Sequence, residues 1–117
     1  QGVVARTDFV GEVQTLQLTT ADSSLRDFNG GFHFNGWGYL VPYQDNANSY
    51  SGKVVRFNLD LFQSATGTNI EILDVSSHGT GYQGGFQDGR YGYLASASGG
   101  GVVVRFSLET FSDPESK

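Results

Sequence analysis

A block of eleven residues occurs twice in this chain, and the repetition limits the folds that the chain can adopt. The first copy is GGFHFNGWGYL at 30–40, and it returns 54 positions later as GGFQDGRYGYL at 84–94. A second block, GKVVRFNL at 52–59, returns 49 positions later as GVVVRFSL at 101–108. A tandem repeat consists of supersecondary units that bury their apolar faces only by stacking on one another. The chain is therefore predicted to be a row of similar stacked units.

The repeat divides one predicted domain, 1–117, into four parts. Residues 1–29 form a partial repeat, 30–83 a full repeat, 84–111 a second partial repeat and 112–117 a tail. Apolar residues alternate with polar ones over short segments that are punctuated by Gly, Asn, Asp and Ser, which is typical of β-strands. We therefore predict an all-β fold of antiparallel four-stranded repeats, about two per chain.

Alignment of the two repeat copies also predicts the positions of the strands, which fall into four types within each unit. An Asn-Gly or Asp-Gly dipeptide joins the first strand to the second, but the two copies are out of step by one position, so identical turns are not expected. The predicted strands, from first to fourth type, are 31–34 and 85–87, then 37–43 and 91–97, then 2–9, 53–59 and 102–108, then 13–19 and 70–75.

Composition excludes several classes of function. Seventeen glycines with one Trp, six Tyr and nine Phe are typical of a turn-rich, aromatic-rich β protein. Seven basic residues against twelve acidic ones give a net charge of −5, which disfavours nucleic acid as a partner. The apolar runs are too short to span a bilayer, so membrane insertion is not expected. The absence of cysteine excludes disulfides and thiolate metal sites.

The beginning of the chain indicates a processed or excerpted sequence. Residue 1 is Gln rather than Met, and the first residues do not form a signal peptide. The absence of cysteine does not fix the compartment, and an extracellular or cell-surface location is expected.

The second copy resembles a β-propeller blade. The run DGRYGYLA at 88–95, followed by VVRFSL, is similar to the Asp-Gly-Arg-Tyr-apolar-Tyr-Val-Ala run and the later Val-rich strand of YVTN-type repeats. The chain is also similar to tandem Gly-Gly-Phe repeats in secreted proteins of microbial eukaryotes. The resemblance implies propeller-like blades. Gly38 and Gly92, however, stand where YVTN-type repeats have a bulky residue, and the repeat spacing exceeds the usual propeller length.

The repeat count predicts assembly. Two repeats do not close a propeller ring, so the fold is expected to be completed by oligomerisation or within a longer array. Because the chain starts at a third-type strand and ends after another, its last sheet has room for a fourth strand from a neighbour. The expected partners are copies of the chain itself, joined by β-strand pairing into a ring or a filament. A β-sandwich is the alternative fold, since nine strands also suffice for two sheets.

Two groups of side chains are candidate site residues. Five aromatic residues with polar edges suit the stacking of sugar rings, although core packing between sheets is the favoured interpretation. They are Trp37, Tyr39, Tyr43, Tyr91 and Tyr93. Three arginines occupy equivalent places in the repeat, as ligand clamps or, preferably, as structural residues paired with Asp60, Asp74 or Glu109. They are Arg6, Arg56 and Arg105.

Metal and catalytic chemistry find little support in the sequence. The oxygen-rich loop with Asp45, Asn46 and Asn48 lacks EF-hand spacing, and His33 and His78 lack a matched zinc-ligand spacing, so no metal is predicted. A nucleophile elbow and a phosphate loop are both absent, so neither an enzyme nor a cofactor is predicted.

Three functional hypotheses follow. The favoured one is a non-catalytic structural or interaction module. The alternatives are a carbohydrate-binding propeller lectin and a fragment of a larger propeller enzyme whose site lies on other loops.

Overall fold

The computed structural model describes residues 3–7, 13–46, 49–62, 69–96 and 101–112, and these contain eleven β-strands. Short 3-10 turns cover Leu18–Thr20 and Leu59–Leu61. The strands are β1 (Val3–Thr7), β2 (Val13–Gln17), β3 (Phe28–Phe34), β4 (Trp37–Pro42), β5 (Gln44–Asn46), β6 (Ser49–Tyr50), β7 (Lys53–Asn58), β8 (Ile70–Asp74), β9 (Tyr82–Gln87), β10 (Tyr91–Ser96) and β11 (Val103–Ser107).

The strands form antiparallel sheets that follow the repeat. Sheet one is the hairpin β1-β2, sheet two has the order β3-β4-β7-β8, and sheet three has the order β9-β10-β11. The all-β antiparallel prediction is thereby confirmed. The loop between the second and third strands of the full repeat also contains a short ladder of β5 and β6, which its polar sequence did not predict.

The first strand of each unit begins earlier than predicted because a β-bulge extends its pairing. The ladder of β3 and β4 shifts register between Phe28 and Gly31. Gly30 lies inside this shift with φ of +87°, and Gly84 has φ of +98° at the equivalent place in β9. Glycine adopts positive φ without steric cost and is common in bulges of this kind. The first glycine of the Gly-Gly-Phe signature thus supplies the bulge.

The two turns between first and second strands differ, as their shifted dipeptides predicted. Asn35 and Gly36 both have positive φ, which is the backbone of a tight two-residue hairpin. In the second copy, the Oδ1 atom of Asp88 accepts hydrogen bonds from the backbone N–H groups of Tyr91 (2.8 Å) and Arg90 (2.9 Å). These bonds, with one from the Tyr93 hydroxyl, hold the pKa of Asp88 below its usual value.

Sheet two lies between two hydrophobic cores. One of its faces packs with sheet one, in a core formed by Leu16, Leu18, Leu25, Val55, Phe57, Phe62 and Ile70. The opposite face packs with sheet three, in a core formed by Tyr39, Val41, Val54, Val75, Tyr82, Leu94, Val104, Phe106, Leu108 and Phe111. Alternate residues of β4 and β7 enter the two cores, as the period of a strand requires.

The unusual strand glycines make room for aromatic rings. A Cβ atom built on Gly38 would lie 2.5 Å from the ring of Phe57, which belongs to the neighbouring strand β7. A Cβ atom on Gly92 would clash in the same way with the ring of Phe106 on β11. In each copy a phenyl ring covers the glycine and takes the volume that a larger side chain would fill. Both strands therefore carry glycine where a larger side chain would collide with the ring.

An ion pair fastens the loop after sheet one to sheet two. The Lys53 ammonium donates to Asp22 Oδ2 at 3.0 Å and to Ser24 Oγ at 2.8 Å. The Asp22 carboxylate also accepts hydrogen bonds from the backbone N–H and the hydroxyl of Ser24. The Ser24 bonds first, and then Lys53, lower the pKa of Asp22 to about 2.

Asp22 is expected to contribute to the acid sensitivity of the fold. Because its pKa is lower in the folded chain than in the unfolded one, its stabilisation is present above pH 4 and is lost as the pH falls toward 2. We expect Asp22→Asn to lower the free energy of unfolding by about 1 kcal/mol at pH 7 and by much less at pH 2, where the folded-state carboxyl is already partly protonated. Urea unfolding at several pH values measures this. Asp60→Asn, which removes the same charge from an exposed position, is the control. An Asp22→Asn effect independent of pH would contradict the prediction.

Candidate functional site

Arg56, in β7, is held by groups from its own sheet and from the segment that follows β11 of sheet three. Its guanidinium forms an ion pair with the Glu71 carboxylate at 2.6 Å, and Glu71 lies directly opposite on β8. It also donates to the Tyr39 hydroxyl at 3.3 Å and to the backbone carbonyl of Leu108 in the third repeat segment at 3.4 Å.

Two aromatic rings complete the surroundings of Arg56. Its guanidinium carbon lies 4.2 Å from the ring centre of Trp37 and 4.6 Å from that of Phe111. The Arg56 side chain is only 12% exposed. The ion pair agrees with the structural interpretation of this arginine. Its partner is Glu71, however, and not one of the predicted carboxylates of Asp60, Asp74 and Glu109. The register of β7 against β8 selects Glu71, and the sequence does not specify that register.

Arg105 repeats half of this arrangement on sheet three. Its guanidinium carbon lies 4.1 Å from the ring centre of Tyr91, as that of Arg56 does over Trp37. Within the part of the chain that the structure describes, however, Arg105 has neither a carboxylate partner nor a second ring. Arg105 therefore has the position of Arg56 without the groups that enclose Arg56.

The rest of the same face of sheet three repeats sheet two in the same way. The rings of Phe32 and Tyr39 stack at 5.1 Å on sheet two, and those of Phe86 and Tyr93 stack at 5.0 Å on sheet three. The sheet-two surface is covered by sheet three, whereas Phe86 is 59% exposed and Val103 is 66% exposed. We call this surface the open face; it is formed by Phe86, Tyr91, Tyr93, Val103 and Arg105.

The structure separates the aromatic candidates into different environments. Tyr39 is 1% exposed, so its ring is not accessible to a ligand. Trp37 is half-buried beneath Arg56, and Tyr43 packs edge-on against Tyr50 at 5.6 Å, beside the β5-β6 ladder. Tyr91 and Tyr93 lie together on the open face, where the Tyr93 hydroxyl donates to Asp88.

The third predicted arginine, Arg6, is described only by its backbone. It pairs with Gln14 in sheet one, at the place where Arg56 pairs with Glu71 in sheet two. The backbone register therefore agrees with the repeat equivalence of the two positions. The Arg6 side chain lies outside the described residues.

A cleft of about 880 Å³ opens between sheets two and three, at the end that carries the first-to-second turns. Guanidinium groups lie over the Trp37 and Tyr91 rings at 4.2 and 4.1 Å, which leaves less flat aromatic surface for a sugar. The residues that line the cleft are Phe34, Asn35, Trp37, Tyr39, Arg56, Gly89, Arg90, Tyr91, Ser107, Leu108, Glu109, Thr110 and Ser112.

The described residues contain no cluster of three or more His, Asp or Glu side chains that could hold a metal ion. His33 is an exposed residue on β3, and His78 is an exposed residue in the turn after β8. Asn48 and the side chains of Asp45 and Asn46, which formed the candidate calcium loop, lie outside the described residues.

Sequence reasoning missed four residues of the candidate site. Phe86 and Val103 dominate the exposed area of the open face, while Glu71 and Phe111 complete the surroundings of Arg56. The repeat did contain a signal for Phe86, because it aligns with Phe32 of the first Gly-Gly-Phe. What the alignment lacks is any indication that one of these rings is covered and the other is not.

The fold and the site together define an all-β protein of repeated antiparallel sheets with one uncovered aromatic face. Comparison of the chain with protein-family models, with curated proteins and with solved structures finds no match. Among the described residues, no helix is long and apolar enough to cross a membrane.

Proposed function

We propose that this protein is a non-catalytic interaction module that assembles with copies of itself through its repeated β-sheets. The open face is the observation that supports the proposal. A second copy is the occupant that fits it. The equivalent face of sheet two is already covered, within this chain, by sheet three of the following repeat copy.

The covered interface shows what such an occupant must provide. Sheet three places Leu94, Val104 and Phe106, with the flat surface over Gly92, against the aromatic face of sheet two. Sheet one packs on the glycine-bearing face of sheet two, just as the aromatic face of sheet two packs on the glycine-bearing face of sheet three. The glycine-bearing face of one sheet is thus covered by the preceding sheet at both interfaces. A further sheet stacked on the open face would continue this order. Exposed apolar faces of this kind mark interaction sites on soluble proteins.

The arrangement of the sheets supports a blade-like assembly. Strand β3 of sheet two packs beside β9 of sheet three, as the inner strands of neighbouring propeller blades do. Copies that repeat this contact form a ring if the rotation closes and a filament if it does not. An assembly of either kind would bury Phe86 and Val103.

Concentration-dependent assembly is the test. We expect the molar mass from light scattering and sedimentation to rise across about a hundredfold range of protein concentration, as mass action requires. Phe86→Asp places a charge in the interface and is expected to leave a folded monomer, because an unpaired charge in an apolar contact is costly.

A matched variant controls for the added charge. Ser77→Asp introduces the same charge in an exposed turn and is expected to assemble like the unchanged chain. A chain that remains monomeric at every concentration would refute the proposal. Equal assembly of the Phe86→Asp and unchanged chains would refute the role of the open face.

A further inference from the structure

Among the described residues, the edge of strand β11 apart from Ser107 is free, whereas its counterpart β7 is paired there. In sheet two, β7 lies between β4 and β8, whereas in sheet three the described residues place only β10 beside β11. Unpaired edges of this kind accept strands from other chains. The question is which strand the edge of β11 would accept.

The pairing geometry at this edge is already prepared. The Asn58 N–H donates to the Asn69 carbonyl at 2.9 Å, which starts the β7-β8 ladder, and the Ser107 N–H donates to the Ser112 carbonyl at 3.0 Å. The bonds to β10 involve the even-numbered residues, since Leu108 N–H donates to Arg90 and Val102 accepts from Ser96. In an antiparallel ladder, alternate residues face opposite neighbours, so the N–H groups of Val103 and Arg105 point to the free edge.

The sequence that follows Ser112 is chemically unsuited to replace β8. Counting from the equivalent residues Asn69 and Ser112, Pro114 corresponds to Glu71. Proline has no N–H to donate to a ladder and no carboxylate to offer an arginine. The edge is therefore suited to a strand with a different sequence.

Arg105 indicates the chemistry of that strand. Its equivalent, Arg56, receives a carboxylate from the directly opposed position of β8, where Glu71 remains 41% exposed. Arg105 is already stacked on Tyr91 as Arg56 is on Trp37, so its side chain is oriented before a partner arrives. A planar guanidinium held in this way matches a carboxylate through two N–H donors.

We propose that the edge of β11, with Arg105, binds an extended acidic strand of the β8 type, donated by another repeat chain. Its backbone pairs with Val103 and Arg105, and its carboxylate faces the Arg105 guanidinium. The inference rests on the proposed function, because it names the strand contact within that assembly, but it requires only the edge and not the open face.

A labelled peptide with the sequence of residues 69–75, NIEILDV, tests the inference by fluorescence anisotropy on the intact chain. We expect saturable binding, and about fivefold to tenfold weaker binding when the peptide carries Glu71→Gln or the protein carries Arg105→Gln. Combining both changes is expected to cause no further loss, because they remove the same contact. Arg26→Gln, which removes an exposed charge elsewhere, is expected to leave binding unchanged.

Backbone pairing is tested separately. Val103→Pro removes an N–H that faces the free edge, so the sheet is expected to fold while peptide binding falls more than about tenfold. Val103→Ala shortens the same side chain but keeps the N–H and is expected to bind, and circular dichroism confirms that both variants fold. Absence of peptide binding by the unchanged chain, or equal binding by the Arg105→Gln variant, would overturn the inference.

The two proposals fail in different ways. A chain that stays monomeric but binds the peptide would refute the proposed function and support the β11 edge as a strand acceptor. A chain that assembles but does not bind the peptide would overturn the inference and leave assembly through the open face.

Discussion

Replacing Arg56 by methionine is expected to lower the free energy of unfolding by about 2–3 kcal/mol, measured by urea unfolding of the dilute monomer. The substitution keeps most of the aliphatic volume but removes the ion pair with Glu71 and the contacts with the Trp37 and Phe111 rings. The loss is large because the Arg56 side chain is mostly buried. It stays below that of a fully buried pair because the remaining Glu71 carboxylate is accessible to water.

The repeat supplies the control for this prediction within the same chain. Arg105→Met makes the same chemical change at the equivalent position, where Tyr91 is the one group among the described residues that contacts the guanidinium. We expect this variant to lose less than about 1 kcal/mol, the range of an exposed cation–π contact. Equal losses at Arg56 and Arg105 would contradict the assignment of one covered and one uncovered arginine.

Phe106→Ala is expected to produce the largest loss, about 3–5 kcal/mol in the free energy of unfolding. The Phe106 ring is fully buried, contacts Phe32, Tyr39 and Phe111, and covers Gly92. Removing the ring leaves a cavity between sheets two and three, and the glycine cannot fill it. Because domains of this size are stable by only about 5–15 kcal/mol, the variant is expected to be partly unfolded at physiological temperature.

The matched variant is Phe86→Ala, which removes the same ring from the open face. In the dilute monomer we expect a loss below about 1 kcal/mol, since most of this side chain is already in water. Thermal unfolding of both variants at low protein concentration makes the comparison. If Phe86→Ala were as destabilising as Phe106→Ala under these conditions, Phe86 would have to be covered within the monomer, and the open face would be wrongly assigned.

The two comparisons also connect stability with assembly. If copies stack on the open face, the cost of Phe86→Ala should grow with protein concentration, whereas the cost of Phe106→Ala should not. The cost of Arg105→Met should likewise grow with protein concentration, because a strand bound to β11 would bring a carboxylate to Arg105, which has none among the described residues.

Much of the fold was predictable because it depends on local patterns. The alternation of apolar residues in VVRF marks a strand wherever it occurs, and the Asn-Gly and Asp-Gly dipeptides mark the turns. The strand types and their order along the chain were therefore correct. The bulge at Gly30 was not predicted, because the sequence shows a glycine but not the register shift that requires it.

The candidate site was predictable only in part. The repeat grouped Arg56 with Arg105, and Trp37 with Tyr91, and each pair lies at matching places on equivalent strands. It did not identify Glu71 as the partner of Arg56, because the partner is set by the register in which β7 pairs with β8. The presence of Phe111 beside Arg56 depends on the packing of two sheets that are far apart in sequence.

The sequence by itself determined that this chain is a row of similar β-units, because alternation and turn residues act over a few positions and are repeated almost unchanged. Only the tertiary structure decided which copy of each surface is buried. Phe32 and Phe86 have nearly the same local sequence and each stacks on a tyrosine of its own sheet, and Arg56 and Arg105 each lie over an aromatic ring of the adjacent strand. They differ because burial is set by the sheet that stacks on a face, and sheet three covers sheet two while its own equivalent face remains open.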